Sequence, residues 1–228
     1  MSASSAPGTG QSSSASGAEQ PSSAPGAGRP AGTDPDPVRP PWLDAPPVEP
    51  YPFEESHDLR VGPKLHPALN ALLPYIGLWR GRGRGGYPTI EDFDYAQEIR
   101  ISHDGRPFLR YESRAWLLDE QSRPVRPVGR ELGWWRAVTD VEGRATGELE
   151  ATMMTPTGVM ELYLGRITGV QVELATDAVV RTGTAKEVTG GHRLFGIVEG
   201  ALLYAQEMAA MGQPLSPHLS ARLIRVGG

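Results

Sequence analysis

Five histidines and no cysteine bound the metal and nucleophile chemistry open to this 228-residue chain. Without thiols there can be no disulfide, thiolate metal site, iron–sulfur cluster or cysteine nucleophile. Imidazole is then the best ligand left for a metal. His218, behind Pro217 near the C-terminus, is the candidate, although a lone histidine near a chain end reads more readily as a surface residue. His57 and His66 precede the first expected strand, His103 opens a His103-Asp104-Gly105 turn, and His192 follows Gly190-Gly191. All four are expected to face solvent. Met153, Met154, Met160, Met208 and Met211 could supply a thioether, but methionine more often fills irregular core space. Lys186 on its own reads as a solvated strand lysine, and Glu91, Asp92 and Asp94 as a solvated turn cluster. No G-x-S-x-G elbow, Walker loop or H-E-x-x-H pair is present. The glycine–arginine alternation over 81–85 lies in a strand pattern with no helix after it, so it is not a phosphate loop.

Those residues must be held by strands. Apolar positions Leu65, Ala68, Leu69, Leu72 and Leu73 have helical spacing and predict a short helix ending at Pro74, a lid for one end of a barrel. Strand patterns then fall at 76–84, 93–101, 108–118, 130–138, 145–155, 159–168, 170–176, 181–188, 192–198, 201–211 and 218–226. Glu142-Gly143, Gly190-Gly191 and Glu199-Gly200 are hairpin signals. Closely spaced hairpins leave no room for parallel crossovers, and about ten strands must either close or expose edges. A β-sandwich would need longer connections. The expected fold is all-β: a ten-stranded antiparallel up-and-down barrel with a short helix at one end, of a size that holds one small ligand. Trp134 and Trp135 are adjacent, so on a strand one faces in and one out.

Composition sets the remaining limits. Residues 1–41 are mostly Ser, Ala, Gly, Pro and Thr, which cannot bury enough apolar surface to offset ordering, and are expected to form a disordered tail. Residues 42–64 read as an irregular proline-rich strap, with Trp42, Tyr51 and Phe53 available to pack on the barrel, and 65–228 as the barrel itself. A net charge of -5 argues against nucleic acid as a partner. No signal-peptide pattern and no apolar run long enough for a bilayer are found, so a cytoplasmic protein with no membrane partner is expected.

The segment Gly77-Leu78-Trp79-Arg80-Gly81-Arg82-Gly83 has the form G-x-W-x-G-x-G. A tryptophan there can plug the narrow end of a barrel, while Gly77, Gly81 and Gly83 permit close backbone approach and bending. It is followed by Gly86-Tyr87-Pro88-Thr89-Ile90, by Thr184-Ala185-Lys186-Glu187-Val188, and by Met211-Gly212-Gln213-Pro214-Leu215 with Pro217-His218-Leu219-Ser220-Ala221-Arg222-Leu223. Together these resemble the nitrobindin family, ten-stranded relatives of the fatty-acid-binding barrels that hold heme b.

The resemblance implies that His218 is the proximal axial ligand of heme iron, that Lys186 lies beside the heme facing a propionate, and that Thr89 approaches from the other side. It implies a ferric heme b protein that binds nitric oxide and isomerises peroxynitrite to nitrate, with no catalytic side chain beyond the iron. A homodimer is left open. One feature resists: strict alternation puts His218 with Ser220, Arg222 and Ile224, while Leu219, Ala221 and Leu223 look like the packed interior. Either the heme sits at the barrel mouth or Pro217 shifts the phase with a bulge. Two other functions are weighed. An intracellular carrier of a fatty acid or other apolar ligand would use a buried Arg110, Tyr111 or Arg222 for the carboxylate, and a non-catalytic heme-based nitric oxide sensor would use the tail to reach a partner.

Overall fold

The computed structural model describes residues 38–228. Ten antiparallel strands close into one barrel: β1 Gly77–Tyr87, β2 Ile90–Ser102, β3 Phe108–Leu118, β4 Pro124–Thr139, β5 Ala145–Met154, β6 Val159–Thr168, β7 Gln171–Arg181, β8 Val188–Val198, β9 Ala201–Ala210 and β10 Ser216–Gly227. Each strand pairs with its sequence neighbours, and β1 pairs with β10 to complete the ring. Closure gives every strand a partner on both sides, so no strand is left as a sheet edge over its whole length.

Most expected strands are present, and three differences have physical causes. The expected strand 181–188 does not form; it splits into the end of β7, a loop, and the start of β8. Gly190-Gly191 is not a turn but lies inside β8, where a Cβ on Gly191 would stand 3.0 Å from the Tyr163 hydroxyl. These glycines admit a neighbouring side chain rather than reverse the chain. At β4 the strand starts at Pro124 rather than at residue 130. Its first half pairs only with β3, since pairing to β5 begins at Leu132, so Pro124 and Pro127 sit where a missing N–H is tolerated. β2 begins at Ile90 rather than at residue 93, so Glu91, Asp92 and Asp94 lie on a strand rather than in a turn, and they are exposed as expected. The Glu199-Gly200 turn does form, with positive φ at both residues (51° and 76°), the pairing a type I′ hairpin requires.

The helix before β1 is a 3-10 helix, Pro67–Tyr75, which includes Pro74 instead of stopping before it. Leu69 and Leu72 are fully buried, and the Tyr75 hydroxyl donates to the Val170 carbonyl across the barrel end (2.7 Å). Trp79 joins this plug: its ring is fully buried, its Nε1–H donates to the Tyr75 carbonyl (2.8 Å), and the Arg225 guanidinium lies 4.3 Å above it. The helix therefore closes the end at which β1 begins, leaving the opposite end, where β1 stops and β10 starts, to the site.

Gly81, Gly83 and Gly85 share the inner face of β1 with Trp79. A Cβ on Gly83 would collide with the Ser220 carbonyl and the Tyr95 ring, and one on Gly85 with Phe93 and Leu219. Gly83 and Gly85 thus leave the space that the β2 rings of Tyr95 and Phe93 occupy. Gly83→Ala is expected to destabilise the barrel by about 1–3 kcal/mol through overpacking; an unchanged melting temperature would contradict this.

Trp135 is fully buried and Trp134 is on the outside, as alternation requires. Of the strap residues, Tyr51 and Phe53 are exposed, and Ser56 forms a β-bridge with His103. The expected tail falls, up to residue 37, outside the described residues. Residues 38–48 hold a 3-10 turn, Pro41–Asp44, and residues Glu49–Gly228 form one compact unit.

Candidate functional site

His218 is the extra residue of a β-bulge. In the β9–β10 pairing Pro217 stands opposite Glu207 and Leu219 opposite Gln206, which leaves His218 without a partner. Ala221 and Leu223, buried, and Leu219, packed on the core, keep the inner face. The two residues of a bulge facing one partner share a side, so His218 turns inward beside Leu219 instead of alternating outward. Of the two geometries open in the sequence, the bulge is the one present, and it sits at the barrel rim.

Two neighbours fix the imidazole. Its Nδ1–H donates to the Gly86 carbonyl (3.0 Å), and its ring meets Tyr87 edge-on with centroids 5.6 Å apart. A carbonyl can only accept, so Nδ1 carries a proton, and in the neutral imidazole that leaves the Nε2 lone pair to ligate a metal. A backbone carbonyl on the far ring nitrogen is the usual way in which a metal-binding histidine is oriented. Tyr87 is held in turn: its hydroxyl accepts from the buried Ala210 N–H (2.8 Å) and lies 3.1 Å from the Met208 carbonyl. Tyr87→Phe strands that N–H and is expected to cost about 1–3 kcal/mol in urea unfolding; a loss within error of zero would contradict the rim arrangement. A cleft of about 680 Å³ at this rim is lined by His218 and Gly86 together with outward-facing residues of the neighbouring strands, among them Arg84, His192 and Glu207.

Inside the barrel lies a charge cluster that sequence reasoning missed. The Arg193 side chain, 1 % exposed, donates from Nη1 and Nη2 to Glu131 (2.9 and 2.6 Å), from Nη2 to Glu161 (3.2 Å) and from Nε to the Tyr163 hydroxyl (2.9 Å). Burial pushes the Glu131 carboxyl up, but the adjoining Arg193 more than offsets this and holds it below the usual carboxylate range. Burial opposes charge on Arg193 too, and the carboxylates outweigh it. The available signal was phase: Arg193 alternates in step with the fully buried Phe195. Tyr95 and Tyr204 share a hydroxyl–hydroxyl bond nearby (2.9 Å), and burial pushes Tyr204 up to about 12.

Topology brings the three expected site residues to one rim. Thr89 lies in the turn between β1 and β2, Lys186 in the loop between β7 and β8, and His218 at the start of β10. Thr89 and Lys186 are exposed, and Lys186 is on a loop rather than the expected strand.

Of the other histidines, His103 departs from expectation: it is buried, both ring nitrogens lack a partner among the described residues, and burial lowers its pKa. His57 and His66 are half-buried, with His66 Nδ1 accepting from the Ala68 N–H at the start of the 3-10 helix (3.2 Å). His192 lies on the outer face between Glu173 (3.0 Å) and Glu207 (3.3 Å). The arginines of the 80–84 stretch point outward to Glu98, Ser122 and Asp92.

Residues 68–225 match the family model described as THAP4-like, heme-binding beta-barrel domain. The chain is similar to the peroxynitrite isomerase of Salinispora arenicola, with 80% identity over 196 residues, 86% of this chain and 100% of that protein. It is 50% identical to the peroxynitrite isomerase of Nocardioides sp. over 161 residues, covering 71% of this chain and 94% of that one. A ferric nitrobindin-like protein of Saccharopolyspora erythraea is 43% identical over 177 residues, 76% of this chain and 81% of its own. Among solved structures, the crystal structure of Rv2717c from M. tuberculosis superposes with a TM-score of 0.62 at 37% identity, covering 71% of this chain and 99% of that one.

Proposed function

The chain belongs to the THAP4-like heme-binding β-barrel family, and from that membership we propose that it is a heme b enzyme that isomerises peroxynitrite to nitrate and binds nitric oxide at the same site. The observation that carries the reading is the inward-turned His218, whose Nδ1 is engaged by the Gly86 carbonyl while Nε2 stays free. That donor fits heme iron, which takes one neutral imidazole from the protein.

His218 would hold the heme iron, with the Gly86 carbonyl fixing the imidazole tautomer and raising its basicity. Lys186 and Thr89 would approach the heme from the rim loops, Lys186 as a cation for a propionate. Bound heme supplies ferric iron as a Lewis acid toward the peroxide bond of peroxynitrite. The reaction is a rearrangement, so the chain need supply no acid–base pair and no second substrate. The buried aromatics Tyr95, Tyr111, Trp135, Phe195 and Tyr204 keep water from the interior. Partners are small molecules, and the absence of cysteine fits our assignment to the reducing cytoplasm. No helix among the described residues is long and apolar enough to cross a membrane.

A fatty-acid carrier would use a buried arginine or tyrosine for the carboxylate; Tyr111 is buried and its hydroxyl has no hydrogen-bond partner among the described residues, but no arginine is both buried and free to join it. Arg110 pairs with Glu55 and Glu112 outside the barrel, Arg222 is exposed, and Arg193 is already taken by two carboxylates. Stopped-flow decay of peroxynitrite tests the enzyme directly. Hemin-loaded protein is expected to accelerate decay over the hemin-free protein with nitrate as the product; equal rates would contradict the proposal.

A further inference from the structure

The Arg193 cluster has no task in the reaction as described. One guanidinium faces the carboxylates of Glu131 and Glu161, so the group carries a net negative charge inside the barrel. Buried ion pairs are a poor source of stability, because desolvation offsets most of their attraction and apolar replacements pack as well. Their position relative to His218 suggests another use.

The register ties the cluster to the site. Arg193 stands opposite Gln206 in the β8–β9 pairing, Gln206 stands opposite Leu219 in the β9–β10 pairing, and His218 is the bulged residue beside Leu219. Two strand spacings separate the backbones, about 10 Å. Arg193 and Gln206 are buried and Leu219 packs on the core, so these residues face the same interior as His218.

We infer that the Arg193–Glu131–Glu161 cluster is a charge-setting device for the iron held at His218, favouring the ferric over the ferrous state. The inference rests on the heme reading above. Ferric iron carries one more positive charge than ferrous iron, so a fixed negative charge in the same interior stabilises it selectively. One unit charge acting over a distance on the order of that β8–β10 backbone separation, at an effective dielectric of ~20, shifts the ferric-to-ferrous ratio by roughly tenfold. Glu131 and Glu161 touch neither iron nor substrate in this role. They are positioning residues that act through their field, and they keep the enzyme in the oxidation state that its chemistry uses.

The test is a potentiometric titration with dithionite of the hemin-loaded full chain, comparing wild type with Glu131→Gln, Glu161→Gln and Glu131→Asp. Each glutamine variant is expected to raise the midpoint by about 59 mV, the one-electron equivalent of tenfold. Glu131→Asp keeps the charge and is expected to stay near wild type, which a purely structural role would not predict. Glu161 makes one contact to Arg193 and Glu131 two, so Glu161→Gln is the variant expected to keep the fold intact. A folded, hemin-loaded Glu161→Gln protein with the wild-type midpoint overturns the inference. A wild-type chain that develops no Soret band on hemin addition overturns instead the heme reading beneath it.

Discussion

His218→Ala is expected to lower hemin affinity by more than about 100-fold, because loss even of an outer-shell partner of a metal-binding histidine costs 10–100-fold. The expectation follows from the rim geometry. The Gly86 carbonyl holds Nδ1, Tyr87 flanks the ring, and Nε2 is the one basic atom left pointing away from both. The variant is expected to fold, because His218 is half-buried and its hydrogen bond to Gly86 is worth about 1 kcal/mol. A Soret-band titration with hemin reads the affinity, and near-ultraviolet circular dichroism of the hemin-free proteins checks the fold. Imidazole added to the variant should restore part of the band by replacing the missing ligand. Equal hemin affinity in the two proteins would remove His218 from the site.

Arg193→Met is expected to destabilise the barrel by about 3–5 kcal/mol, the cost of leaving buried carboxylates without their cation. Glu131 loses two charge-assisted bonds, and Glu161 and Tyr163 lose one each. Urea unfolding measures the loss, and a value below about 1 kcal/mol would mean that the interior is wet enough to solvate the carboxylates. The pair also has a pH signature. The Glu131 carboxyl titrates lower in the folded protein than its unfolded value of about 4.3. Its contribution is therefore complete above about pH 4.3 and lost as pH falls through the lower folded value. Wild type should show this acid-side loss, and Arg193→Met should not.

Much of this was readable from residue pattern. Period-two alternation with Gly-containing turns gave the closed antiparallel barrel, and the split of Trp134 and Trp135 between outside and inside followed from the pleat alone. The glycines of the motif were recognisable as places of close approach, although the ring that approaches Gly83, that of Tyr95, comes from the next strand. What could not be read depended on partners. The Gly190-Gly191 pair has the composition of a turn, and only the Tyr163 side chain opposite makes it a strand interior. His218 alternates outward on its own strand; it turns inward because β9 supplies one residue against two. Arg193, a charged residue, reads as solvated until Glu131 and Glu161 arrive from strands 62 and 32 residues away.

The most direct measurement is stopped-flow decay of peroxynitrite on wild type and His218→Ala at equal hemin and equal protein concentration, with nitrate determined at the end. Wild type is expected to accelerate the decay and to raise the nitrate yield, while the variant follows hemin alone. If the two proteins give the same rate and the same yield, iron held by His218 is not the catalyst and the account fails at its centre.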